Sequence, residues 1–541
     1  MVSRLQICFL VVLLLGRLVA VQAQVSHVWV ADQEDGTYKN PILHADYSDP
    51  DVIRVGEDFY LISSSFNSAP GLPILHSRDL VNWTIIGHAL PKQFPIDVFE
   101  KPQHGKGVWA PSIRYHNGLF YIYFPDPDYG IYVTTAKQIK GPWSNPQLVK
   151  KGIGLIDPCP LWDNDGKAYL TFALAGSRAG IKSVLLVSEM TPDGLHVSDA
   201  VTLVLNGHAQ HPTVEGPKFY KRNGYYYISA PAGGVATGWQ VVLRAKNPLG
   251  PYEEKIVLAQ GNTDINGPHQ GAWVDTPTGE WWFIHFQDKG PYGRVVHLQP
   301  MSWQDNWPVL GEDPAKTGIG QPVTTWKKPN VGKKYPLQTP QESDDFSNST
   351  LGLQWQWNAN PQLYFGFPST LGYFFHPTFL QESTASNLYD FPNMLLQKFP
   401  APTFTATAKM AIFPNKQLQT EQWGLIVKGF SYAWIGLTYR DGKKYVVYQV
   451  AQQAKQGKIP LEKILTEWTN DTLYLRVVVQ PNAQCRFAYS ADGETFTWAS
   501  DINFQAEEGQ WIGSQLGFFA ARKEKTNDAG YAQIDWFKIT P

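Results

Sequence analysis

The chain reads as an all-β protein in two parts, a five-bladed β-propeller over residues 35–325 and a β-sandwich over residues 341–541. Three observations predict this. Five segments repeat one pattern at intervals of roughly 50 to 60 residues, a range in which repeats form propellers and arrays. Aromatic residues make up 14% of the chain and charged residues only 17%, a balance that favours ordered strands over disorder. A length of 541 residues exceeds what one hydrophobic core encloses, so two domains are the default expectation.

The first element is an export signal over residues 1–23. "MVSRLQICFLVVLLLGRLVAVQA" carries an early Arg4, an apolar run from Ile7 to Leu15 and small residues leading to Ala23. It is too short to anchor the chain in a bilayer, and Cys8 lies within the apolar run rather than at the cleavage site, so a lipid anchor is not expected. Export to the periplasm or the cell exterior follows. Loss of Arg4 and Arg17 leaves 43 Lys and Arg against 47 Asp and Glu. That mildly acidic surface has no electrostatic reason to bind nucleic acid or an anionic membrane. Only Cys159 and Cys485 remain, far apart in sequence, which predicts neither a disulfide framework nor a Cys-type zinc site.

The propeller follows. Its repeats begin near residues 49, 110, 157, 216 and 270 with "DPDVIRVGEDFYLISSS", "APSIRYHNGLFYIYF", "DPCPLWDNDGKAYLTFA", "GPKFYKRNGYYYISA" and "QGAWVDTPTGEWWFIHF". Each is a short strand, a polar turn and a strand dense in aromatics, and the turn carries a hairpin signal: "GED", "HNG", "DNDG", "RNG" or "TPTG". A second hairpin, as in "GIYVTTAKQIKGPWS" and "VVLRAKNPLGPYE", completes a four-stranded blade. The first strand of each blade lines the axis, so the residues just before it converge at one mouth of the channel. Those positions hold Asp49, Trp109, Asp157, Glu215 and His269.

Asp before Pro is a common turn starter, which accounts for Asp49 or Asp157 taken singly. Glu215 before Gly-Pro has no such role, and three acids at equivalent positions raise one another's pKa at a cost to stability. Together they predict a catalytic site. Glycoside hydrolysis needs an acid that protonates the leaving oxygen and a second carboxyl that activates water or attacks the sugar. Glu215, with its longer arm among aromatics, is the candidate general acid. Asp49, across the axis, is the candidate general base. Asp157, in the blade next to Glu215, would raise and tune the acid's pKa. His104, His208 and His211 lie in loops without metal-ligand spacing and are expected to face solvent.

On these residues the chain resembles the family-43 glycoside hydrolases, whose five-bladed propellers remove pentoses from plant cell-wall polysaccharides with inversion. "NPILHADYSDPDVI", "GLIDPCPLW" and "VEGPKFY" carry the likeness for Asp49, Asp157 and Glu215, supported by "GVWAPSI", "LPILHSRDLVNW" and "YGRVVHLQPMSW". The resemblance implies a substrate pocket with His269 and Arg294 as polar partners and Phe66 and Trp109 as apolar wall. In the family the histidine usually follows a glycine directly, whereas here Pro268 intervenes. No cofactor is required; some members hold calcium near the channel, but this sequence shows no ligand set that predicts it. Oligosaccharide or polysaccharide is the implied partner.

A Lys- and Pro-containing linker over 326–340 leads to alternating strands such as "TATAKMAIF", "LYLRVVVQ" and "YAQIDWFKIT", the pattern of a sandwich. It resembles the concanavalin-like C-terminal domain of two-domain family members, and by that likeness the loop "EEGQWIGSQLG" brings Trp511 to the pocket. A capped mouth favours exo cleavage. Two other readings are weighed. Retaining fructan-cleaving propellers need "NDPNG"-like, "RDP" and "EC" segments where this chain has "SDPDV", "IDP" and "EG". A non-catalytic carbohydrate-binding propeller would need only the aromatic pocket. Export among branched plant glycans points to α-L-arabinofuranose side chains, with β-D-xylosides as the alternative.

Overall fold

The computed structural model describes residues 25–380 and 387–541; the export signal expected over residues 1–23 lies outside the described residues. Five antiparallel four-stranded sheets, each from consecutive chain, form the first domain. Their axial strands are Asp51–Val55, Ser112–His116, Leu155–Trp162, Lys218–Arg222 and His269–Asp275. The turn signals sit where the first hairpins close: Asn117-Gly118 and Asn223-Gly224 both take positive φ, as a two-residue hairpin turn requires.

The ring closes because each blade is apolar on both faces. Five clusters fill the five gaps between blades. Ile62 and Ile74 meet Ile113 and Ile122; Tyr123 and Val133 meet Leu170 and Phe172; Leu185 and Val187 meet Phe219 and Ile228. Tyr227 and Val242 meet Trp273 and Phe283, and Ile284 and Leu298 return to Phe59 and Leu75. Across that last gap Thr37–Lys39 pairs with Thr325–Lys327, and Leu43 bridges Val296. The strand at 325–327 means that the irregular connection to the second domain begins just beyond it rather than at 326.

The second domain stacks two mostly antiparallel sheets of eight strands each. Thr472–Gln480 shows why: its residues alternate between buried and half-buried along the whole strand, the period of a sheet with one face in a core. That core joins Trp355, Leu425, Ile435, Leu475, Phe518 and Phe537. The first strand of the sandwich reaches the propeller directly. Ala69 and Trp357 exchange backbone hydrogen bonds of 3.1 and 2.6 Å. The Asn360 side chain accepts from the Gln93 N–H at 2.7 Å and donates to the Gln93 carbonyl at 2.9 Å.

Candidate active site

Asp49 sits just before the axial strand of the first blade in the left-handed region, at φ 55°. All its polar contacts are donors. The Ser48 and Ser64 hydroxyls donate to Oδ2 at 2.6 and 2.5 Å, and Arg294 Nη1 lies 3.1 Å from Oδ1 and 3.3 Å from Oδ2. Arg294 also donates to Ser48 Oγ at 2.8 Å, which closes a small network around a buried carboxylate. Nothing there competes for Asp49 as an acceptor.

Asp157 occupies a β-bulge: strand register shifts between Ile156 and Cys159, and Asp157 itself has φ 58°. Bulges re-aim side chains, and this one turns a carboxylate that would lie along the strand towards the neighbouring blade. There Asp157 Oδ2 accepts the N–H of Gly216 at 2.7 Å. Gly216 has φ 59°, and a Cβ on it would press within 3.0 Å of Gln270 and Pro231, so glycine is what lets the backbone after Glu215 approach. Burial, then the charge of Glu215, then that of Asp49, push the Asp157 carboxyl up to about 8, against the lowering effect of the Gly216 N–H and Lys218.

Glu215 is the most open of the three, its side chain 30% exposed, and its Oε1 lies 3.1 Å from His269 Nε2. His269 starts the fifth axial strand beside a second bulge, at Gln270. With Pro268 directly before it, the imidazole still reaches Glu215.

Aromatic rings complete the enclosure. Phe286 lies 5.4 Å from the His269 ring and 4.8 Å from the Arg294 guanidinium, so it joins the Glu215 side to the Asp49 side. Trp511, from the sandwich, stands 5.8 Å from the same guanidinium and 6.3 Å from Trp109, and Trp109 lies 6.5 Å from Phe66. Phe66 and Val108 exchange backbone hydrogen bonds of 2.8 and 3.1 Å. All eight residues singled out in the sequence therefore belong to one continuous constellation. Phe66 (φ 48°) and Trp511 (φ 65°) join Asp49 and Asp157 in left-handed geometry, a local strain of the kind that clusters at functional sites.

Sequence reasoning missed Ser48, Ser64 and Phe286. Ser48 adjoins Asp49 and Ser64 opens no pattern of its own in "SSS"; only folding brings them to one oxygen. Two histidine expectations are corrected. His104 is not a solvent residue: its ring packs 4.2 Å from Tyr389 and its Nε2 lies 3.0 Å from Asp390 Oδ1, because the sandwich covers that loop. His211 is buried and accepts from Trp239 Nε1 at 3.2 Å. His208 does remain exposed, beside Asn206. Among the described residues no cluster of three or more His, Cys, Asp or Glu side chains could hold a metal ion. Cys159 and Cys485 are free, and no described helix is long and apolar enough to cross a membrane.

Three carboxyl side chains joined through a guanidinium, an imidazole and aromatic rings at the axial strands of a propeller are the equipment of a glycoside hydrolase. Comparison with known proteins narrows this. Residues 38–308 match glycosyl hydrolases family 43, and residues 343–540 match the beta xylosidase C-terminal concanavalin A-like domain. The chain belongs to family 43. It is 42% identical over 491 residues to a putative beta-xylosidase of Xylanibacter ruminicola, covering 90% of this chain and 86% of that one. It is 33% identical to a non-reducing end alpha-L-arabinofuranosidase of Bacteroides ovatus, over 94% and 96% of the two chains. Among solved structures, the family-43 protein BlXynB from Bacillus licheniformis superposes with a TM-score of 0.78 at 25% identity, over 93% of this chain and 99% of that one.

Proposed function

We propose that the protein is an exported, exo-acting, inverting hydrolase that releases a terminal pentose from plant cell-wall oligosaccharides. The chain of contacts that joins Asp49 through Arg294 to Trp511 of the second domain, and Asp157 and Glu215 to Gly216 and His269, carries this reading. Glu215, half open to the pocket, gives its proton to the leaving oxygen. Asp157 lies behind it, its own carboxyl pushed up to about 8 by burial and the neighbouring acids, and the Gly216 N–H ties it to the backbone that follows Glu215. Asp49, with serine hydroxyls and Arg294 already oriented on it, takes the proton of the attacking water on the opposite face of the sugar. Charge on the ring develops between the two.

β-D-Xylosides are the first substrate class, since relatives at 42% and 34% identity carry the name beta-xylosidase. α-L-Arabinofuranosides are the second, favoured by the arabinofuranosidase relative in Bacteroides ovatus. Paired assays on 4-nitrophenyl β-D-xyloside and 4-nitrophenyl α-L-arabinofuranoside rank the two. Proton NMR of the first-formed sugar should show the inverted anomer; the retained anomer would exclude this mechanism and return the fructan-cleaving type.

A further inference from the structure

Arg294 is one of the few groups that touch both a candidate catalytic acid and the ring donated by the sandwich, so whatever holds its backbone sets the geometry of both. The strand that begins at Arg294 starts against Asp46, three residues before Asp49. Asp46 is buried, and its two oxygens take two backbone donors from different domains. Oδ1 accepts the N–H of Arg294 at 2.9 Å, and Oδ2 accepts the N–H of Gly513 at 3.0 Å. Gly513 lies two residues after Trp511, in the same sandwich loop. Next to it, Ser514 N–H donates to the Pro291 carbonyl at 2.7 Å, on the propeller side of the same junction.

Two glycines make the approach close. Gly293 has φ 73°, and a Cβ there would fall 2.4 Å from Asp46 Cγ. A Cβ on Gly513 would fall 2.5 Å from the Gly293 nitrogen. Two backbone segments from two domains thus meet at the Asp46 carboxylate. The mechanism above makes no use of Asp46.

We infer that Asp46 is a positioning residue that clamps the sandwich loop bearing Trp511 to the strand bearing Arg294, and thereby sets the width of the sugar pocket. The inference rests on the proposed pentoside hydrolysis for its kinetic consequence, though not for the clamp itself. In Asp46→Asn the amide keeps one acceptor oxygen and turns an NH2 towards the other backbone N–H, so one bond is lost and two donors face each other. Trp511 then loses its fixed distance from Arg294 while Arg294 keeps its side-chain bonds to Ser48 and Asp49.

The full-length D46N protein should show KM for 4-nitrophenyl β-D-xyloside raised about tenfold with kcat within about threefold, the signature of lost uniform binding. A residue that only supports folding lowers the active fraction, hence apparent kcat, and leaves KM alone. The same KM rise should appear in Gly513→Ala, which displaces the loop from the other side and keeps the test alive should D46N fail to fold. In a Trp511→Ala background neither change should add to KM. An unchanged KM in the single variants, or increments that add fully in the Trp511→Ala background, would overturn the inference. Hydrogen exchange over residues 507–514 reads the clamp without substrate: exchange should quicken in D46N or G513A, and an unchanged rate rejects it. Should the wild-type chain cleave no pentoside, the functional reading falls while the exchange result still decides the clamp.

Discussion

The two sides of the pocket treat their carboxylates in opposite ways. On the Asp49 side a buried carboxylate meets only donors: two hydroxyls and a guanidinium within 3.3 Å. On the Glu215 side a partly open carboxyl faces an imidazole, with a second, buried carboxyl behind it. The difference teaches that one site can give like groups unlike surroundings. Hydrogen-bond donors favour the charged form of a carboxyl, whereas burial and a neighbouring acid favour the protonated form, as they do at Asp157.

Replacing each acid by its amide breaks this comparison most severely. Glu215→Gln should cost about 10³-fold in kcat on xylo-oligosaccharides, where the leaving alcohol needs a proton, and far less on nitrophenyl glycosides, where it does not. Asp49→Asn should lose a similar factor on both substrate types, because water must be activated either way. Parallel kinetics on the two substrates check this; equal losses for both variants everywhere would erase the division of labour.

A milder change probes the carboxyl behind Glu215. Asp157→Asn removes the group that burial and the neighbouring acids push up to about 8. Its ionisation should give the wild-type kcat/KM an alkaline limb near that value, and the variant should lack it. A variant profile that keeps the limb would remove Asp157 from the pH dependence of the reaction. The same shift has a stability sign. A carboxyl raised from 3.8 to about 8 binds more protons folded than unfolded between those values, so its contribution falls as pH rises across that window. Thermal melts of wild type and Asp157→Asn should therefore diverge as pH increases from 4 to 8, with the variant the more stable at the upper end.

The smallest expected effect sharpens the Asp49 side. Ser64→Ala deletes one of the three donor groups on a charged acceptor, and a bond of that kind accounts for about tenfold in rate. Steady-state assays at a pH below the alkaline limb should show the loss in kcat with KM nearly unchanged. A loss as large as that of Asp49→Asn would mean the serine takes part in the chemistry itself.

Much of this was readable in the chain because it depends on repetition. Hairpin turns such as "HNG" and "RNG" recur in register with aromatic strands, and a repeated position means a shared place in a ring. Asp49, Asp157, Glu215, Trp109 and His269 stand at such positions. Phe286 sits in the second strand of its blade and differs in no local way from Phe124 or Phe283. His104 finds its partner Asp390 286 residues away, across the domain junction.

The blades, the sandwich and the acids at the axis are legible along the chain, since strand period, turn chemistry and repeat spacing act over a few residues and leave a local trace. Folding alone selects which donors surround Asp49, ties Asp157 to the residue after Glu215, and joins the strand of Arg294 to the loop of Trp511 through Asp46. Those are meetings of single atoms from segments up to 467 residues apart. Their partners are chosen by closure of the ring and docking of the second domain, and no spacing along the chain records that choice.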